Sequence, residues 1–152
     1  YKAVDWKILS LIFGMLAISI AMDKVGLVSL IVDNVMGLMP WAGPLLMLSF
    51  LYLFTSILTE VLSNNAVAVL VTPIAIGMAQ QLGVDPRAFV VAVMFGASAS
   101  FATPIGYQTN TFVYNAGGYR FSDFFKVGAP LNLLLWGVAT VVLPMIWPLT
   151  PV

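Results

Sequence analysis

Five polar side chains interrupt an apolar run: Thr59, Glu60, Ser63, Asn64 and Asn65, within "TEVLSNNAVAVLVTP". Hydroxyl and amide oxygens accept, while amide and backbone N–H groups donate. Such a set suits a small cation such as Na+, or an oxyanion held by hydrogen bonds. A second interruption, "FATPIGYQTN", places Thr103, Pro104, Gly106, Gln108, Thr109 and Asn110 close together. Pro104 disfavours a helical Thr103. Neither interruption carries the Lys or Arg that usually anchors a loop at the membrane surface. Ordinary readings exist for both. Ser63 to Asn65 suits a tight turn, and Thr103-Pro104 suits a simple proline kink. Polarity that reaches back to Thr59 and forward to Asn110 goes beyond what either needs.

A break in a membrane helix has specific consequences. Non-helical backbone at that depth is tolerated only where it is buried in protein or lines a wet cavity. Broken helices bring dipole ends to the midplane. Carbonyls ending the helix before each break suit a cation, and N–H groups opening the helix after it suit an anion. No Lys or Arg lies between residues 45 and 102 except Arg87. A bound anion would be offset by dipoles and co-bound cations, which points to cation-coupled anion transport. Glu60 is a functional candidate by its place in an apolar helix. Bracing the unwound backbone ranks just ahead of direct ion coordination, with proton exchange as a third role. Gly106 and Asn110 fall in the same structural or coupling group.

Composition fixes the class. Of 152 residues 61% are hydrophobic and only 8% charged, against about 25% charged in soluble domains. Mean hydropathy is +1.04. The chain reads as an all-α integral membrane protein. Net charge is zero, so no basic surface suggests nucleic acid. There is no Cys and no His, and Ser63 has no general base nearby. Neither an enzyme nor a metal centre beyond sodium is expected.

The elements that must position these residues follow from apolar runs and breakers. A transmembrane helix is expected over 6–22, and an interfacial helix over 25–39 with Leu27, Leu30, Ile31, Val35 and Leu38 at helical spacing. A re-entrant hairpin is expected over 45–82, with Ser63 to Asn65 at its tip. A broken helix is expected over 86–116, opened by Asp85 and Pro86 and interrupted at Thr103-Pro104. A final transmembrane helix is expected over 123–147. The start, "YKAVDWK", has neither Met nor a signal-peptide pattern, so 1–152 reads as a piece of a longer chain. Lys2, Lys7, Arg120 and Lys126 fall on one side of this arrangement and Lys24 and Arg87 on the other, a modest positive-inside signal.

"TEVLSNNA" followed by "ASASFATPIGYQTNTFVYNAGGYRFSDFFKVGAPLN" closely resembles the C-terminal half of the divalent anion/sodium symporter family, within the ion transporter superfamily. The resemblance implies one of two inverted repeats, with an S-N-x motif at a hairpin tip and a T-P motif in a broken helix. It implies sodium binding by Thr59, Ser63, Asn64 and the Ala102 carbonyl, and substrate binding by Ser63, Asn64, Asn65, Thr103 and Pro104. Asn65 departs from the Thr of many members, and its amide is larger and adds an NH2 donor. Na+ would be the coupling ion, and the substrate a small divalent anion of the dicarboxylate or sulfate class. The implied partners are the lipid bilayer of the cell inner (plasma) membrane, the N-terminal repeat of the same transporter, and a second copy in a homodimer. The alternatives are an antiporter of the same superfamily (Na+/H+ or arsenite type) and a non-transporting membrane assembly module.

Overall fold

The structure, a computed structural model, describes residues 6–151. Lys2 lies outside them, as does the side chain of Lys7. The described residues form α1 (Trp6–Lys24), α2 (Leu27–Leu38), α3 (Pro44–Thr59), α4 (Asn64–Gln81), α5 (Arg87–Ser98), α6 (Gln108–Gly117) and α7 (Phe121–Ile146). This all-helical architecture is consistent with a membrane protein. Among the described residues, α7 alone is long and apolar enough to cross a membrane unaided. The second half of α1 and α2 reach that length together but meet at 66°. Gly26 sits at their junction with φ 73°, a left-handed conformation that a glycine adopts without steric cost.

Local sequence sets most boundaries. Pro44 opens α3, where its missing N–H costs nothing. The Asp85 carboxylate accepts the Arg87 N–H at 2.9 Å at the start of α5. Asp123 accepts the Arg120 N–H at 2.9 Å and opens α7, two residues before the expected start of that span.

The helices pack around α5, which lies against both α3 and α4, while α7 covers α3 and α5 and the α1–α2 pair covers α4. Met47, Leu48, Leu51, Tyr52, Val67, Val71, Phe89 and Val93 form the centre of the core. Small residues let the helices approach, a common device where lipid supplies no hydrophobic drive for association. At Gly96 a Cβ would stand 3.0 Å from the Tyr52 carbonyl oxygen and 3.0 Å from Thr55 Cβ.

The face that α2 buries differs from the one its leucines suggest. Val28 and Val32 are buried, with Val35, Met36 and Met39 partly so. Leu27, Leu30 and Leu38 are exposed. The reason is shape. Gly77 of α4 leaves a hollow that Val28 and Val32 fill, and a Cβ there would stand 3.2 Å from Val32. Elsewhere the surface is apolar too, as on α7, where Val127, Leu133, Leu134, Val138 and Val141 are exposed.

Overpacking a closed interface costs about 1–3 kcal/mol or more. Gly96→Leu in the full-length protein should therefore lower the midpoint of thermal unfolding in detergent. Gly37→Leu, where no atom lies within 4 Å of the added Cβ, should change it little. Equal midpoints for the two variants would remove the α3–α5 contact at Gly96 from the account.

Candidate functional site

The two polar interruptions fold against each other. At the first, α3 ends at Thr59 and its last turn tightens, with the N–H groups of Glu60 and Val61 donating to Ile57 and Leu58. Ser63 then caps α4, accepting the Ala66 N–H at 3.4 Å. At the second, α5 stops at Ser98, five residues before Thr103, and the helix resumes at Gln108. The intervening backbone must find partners for its N–H and C=O groups.

Those partners come from the end of α3 and from α6. The Glu60 carboxylate accepts, at one oxygen, the N–H of Phe101 at 3.0 Å and of Ala102 at 2.9 Å. In return, the Ser100 hydroxyl donates to the Thr59 carbonyl at 3.1 Å and the Thr103 hydroxyl to the Glu60 carbonyl at 2.7 Å. Ser56 donates to the Ala99 carbonyl at 3.2 Å. From α6, Asn110 Nδ2 donates to the carbonyls of Ser100 at 2.8 Å and Thr103 at 3.1 Å, and Thr111 donates to that of Pro104 at 2.7 Å. Gly106 closes the loop. A Cβ there would overlap the Ser100 hydroxyl and stand 2.6 Å from the Thr59 carbonyl oxygen, so only glycine allows this approach.

One group of atoms differs from these braces. The Thr59 hydroxyl, fully buried, lies 2.8 Å from Asn64 Oδ1 and 2.8 Å from the Ala97 carbonyl oxygen. A hydroxyl has one proton for those two acceptors. Three oxygens from the end of α3, the start of α4 and the last turn of α5 thus converge, an arrangement suited to a small hard cation. A second, looser grouping lies beside it. Asn132 of α7 donates from Nδ2 to Glu60 Oε1 at 2.6 Å. The other oxygen of each group, Glu60 Oε2 and Asn132 Oδ1, is buried and makes no hydrogen bond among the described residues.

The residues singled out from sequence fall into three groups. Thr59 and Asn64 come together in the oxygen cluster. Ser63 and Asn65 lie exposed at the start of α4, open to whatever faces the tip. Glu60, Thr103, Gly106 and Asn110 brace the unwound segment. The Thr103 hydroxyl is occupied twice, donating to Glu60 and accepting the Gly106 N–H at 3.2 Å. Pro104 is buried, its carbonyl taken by Thr111. Ala102 is also buried, and its N–H is held by Glu60. The carbonyl that reaches the Thr59 hydroxyl is that of Ala97. Sequence reasoning missed Ala97, Ser56, Ser100 and Asn132. A backbone carbonyl leaves no mark in the sequence, and the serines are lost in a small-residue run. Asn132 did leave one, as the lone side-chain amide within the last span.

Known proteins resemble the chain throughout its length. A family profile described as citrate transporter (CitMHS) matches residues 1–151. An uncharacterized transporter of Synechocystis is 41% identical over 99% of this chain and 25% of its own length. The uncharacterized transporter YfbS of Escherichia coli is 38% identical over 97% of this chain and 24% of its own length. Sodium/sulfate cotransporter 1 of Chlamydomonas reinhardtii is 35% identical over 93% of this chain and 16% of its own length. The chain thus spans a quarter or less of these curated relatives. The family and these relatives are transporters, not enzymes.

Leaving a buried N–H without an acceptor costs about 1–3 kcal/mol. Glu60→Ala removes the acceptor of two backbone N–H groups and should lower the thermal midpoint of the full-length protein clearly. Glu60→Gln keeps one side-chain oxygen and should lower it less. Equal losses for the two variants would mean that the carboxylate does not brace the segment.

Proposed function

The chain belongs to the citrate transporter family, and we propose that in the full-length protein it supplies one sodium site and part of the substrate site of a sodium-coupled carrier of small divalent anions. The observation that carries the reading is the convergence of Thr59 Oγ1, Asn64 Oδ1 and the Ala97 carbonyl oxygen. Three neutral oxygens from three helix ends suit a monovalent cation of modest hydration cost. Two of those helix ends, of α3 and α5, also bring the negative ends of their dipoles to the place.

In this reading α3 and α4 form a re-entrant hairpin with Ser63 to Asn65 at its tip. Helices α5 and α6 form one broken transmembrane helix. The chain is one inverted repeat of a multi-pass protein of the inner (plasma) membrane, working with the N-terminal repeat and in a homodimer. The substrate anion meets the N-terminal ends of α4 and α6 together with the exposed Ser63 and Asn65. No Tyr107 side chain caps α6, which leaves its first N–H groups available to an acceptor. Thr103 and Pro104 then act by shaping the backbone, since their polar groups are used internally. The sulfate class is supported by the relative named as a sodium/sulfate cotransporter, and the carboxylate class by the name of the family. Both kinds of anion present several acceptor oxygens at one time. A cation bound beside the tip lowers the cost of bringing such an anion into a low-dielectric site.

Asn64→Leu removes one oxygen of the cluster and sets an apolar group in its place. The loss of a ligand group at a buried polar site, roughly 1–3 kcal/mol, amounts to about one to two decades in an equilibrium constant. Radiolabelled sulfate or succinate uptake by the full-length protein should depend on Na+, and Asn64→Leu should raise the half-maximal Na+ concentration about ten-fold or more. Unchanged Na+ dependence in a well-folded variant removes this tip from the sodium site.

A further inference from the structure

The geometry points to two positioning residues on α7, Gly128 and Asn132, which hold the unwound segment in the conformation that completes the cation cluster. This inference rests on the sodium-coupled reading above. The two residues stand four apart and so share one face of the helix. Each reaches the same two residues of the broken helix by a different route.

Gly128 reaches them by contact. It is buried, and a Cβ at this position would overlap the Phe101 carbonyl and stand 2.6 Å from Ala102 Cα. The α7 backbone therefore lies directly on the chain at Phe101 and Ala102. Asn132 reaches them through Glu60. Its Nδ2 lies 2.6 Å from Oε1, the oxygen that also accepts the N–H groups of Phe101 and Ala102. One carboxylate oxygen thus has three donors, two from the unwound segment and one from α7. Asn132 thus holds, from the α7 side, the same oxygen that the N–H groups of Phe101 and Ala102 share.

The consequence runs to the cluster along covalent structure. Glu60 directly follows Thr59, whose hydroxyl and carbonyl are both engaged with the α5 end and the segment beyond it. Fixing the Glu60 side chain on Phe101 and Ala102 therefore fixes the distance between the end of α3 and the end of α5. Those two ends supply Thr59 Oγ1 and the Ala97 carbonyl. A site held ready in this way binds its ion without first ordering the backbone, and loosening it weakens binding. Neither Gly128 nor Asn132 contributes an oxygen to the cluster in this account. They act through Glu60 and through the backbone at 101–102.

The test uses the full-length transporter in liposomes, with radiolabelled sulfate or succinate as the probe and the Na+ concentration varied at constant ionic strength. Asn132→Leu removes the donor and should raise the half-maximal Na+ concentration about five-fold or more, the scale of one hydrogen bond. The maximal rate per folded molecule should change less. Asn132→Asp sets a second carboxylate against the first and should do more harm than Leu. The double variant Glu60→Ala with Asn132→Leu removes both ends of the bond, and should raise the half-maximal Na+ concentration no further than Glu60→Ala does alone. Gly128→Ala should shift it in the same direction as Asn132→Leu, whereas Gly137→Ala, with open space at its Cβ, should not. If the Asn132 and Gly128 variants lower only thermal stability and leave the half-maximal Na+ concentration alone, α7 is a structural wall and this inference falls by itself. If the effects of Glu60→Ala and Asn132→Leu simply add in the double variant, the bond to Glu60 is not the means and the inference falls as well. Wild-type uptake that ignores Na+ overturns the sodium reading and takes this inference with it.

Discussion

The need to satisfy a broken backbone governs this structure. Between Ser98 and Gln108 the chain abandons the helix, and its N–H and C=O groups lose their usual partners. Those that are buried cannot turn to water, and each one left alone would cost about 1–3 kcal/mol. The solution is a second break placed opposite the first. Glu60, Thr59 and Ser56 from the end of α3 meet Ala99 to Thr103, while Asn110 and Thr111 from α6 close the other side. Each break supplies partners for groups that the other leaves open. Together they make a polar knot inside an apolar bundle.

This explains the choice of a carboxylate at position 60. Its side chain reaches across the gap, and one of its oxygens accepts the N–H groups of both Phe101 and Ala102. Three donors meet that oxygen, while the other oxygen is buried without a partner among the described residues. The same reasoning explains Gly106 and Gly128. Both stand where backbone meets backbone, and any side chain would separate the two breaks or lift α7 off them. Polar bonding and close approach are therefore parts of one arrangement, and the oxygens of Thr59, Asn64 and Ala97 converge as its result.

Around the knot, ordinary rules of burial lose some of their force. In a soluble protein the apolar stripe of a helix identifies its inner face. Here the outer surface is apolar as well, so α2 turns Val28 and Val32 inward and leaves Leu27, Leu30 and Leu38 outside. Shape decides, through the hollow at Gly77. The exposed leucines and valines of α1, α2 and α7 suit lipid or the remainder of a longer transporter.

The sequence alone determined the class and the helices, and it marked where polar groups gather in an apolar chain. Composition excluded a soluble fold, apolar runs placed the helices to within a few residues, and polar residues without flanking charge marked the two interruptions. The residue types there are hydroxyls and amides, which offer hard oxygen ligands as well as N–H and O–H donors. The tertiary structure decided which oxygens meet. It brought Ala97 to Thr59, gave the Thr103 hydroxyl and the Ala102 N–H to bracing, ended α5 at Ser98, and joined α7 to Glu60 through Asn132. The reason is physical. A side chain announces its chemistry wherever it stands, but a backbone carbonyl is the same at every position. Which carbonyl is free depends on where the helix stops and on what lies across from it, and both are set by packing between segments about forty residues apart.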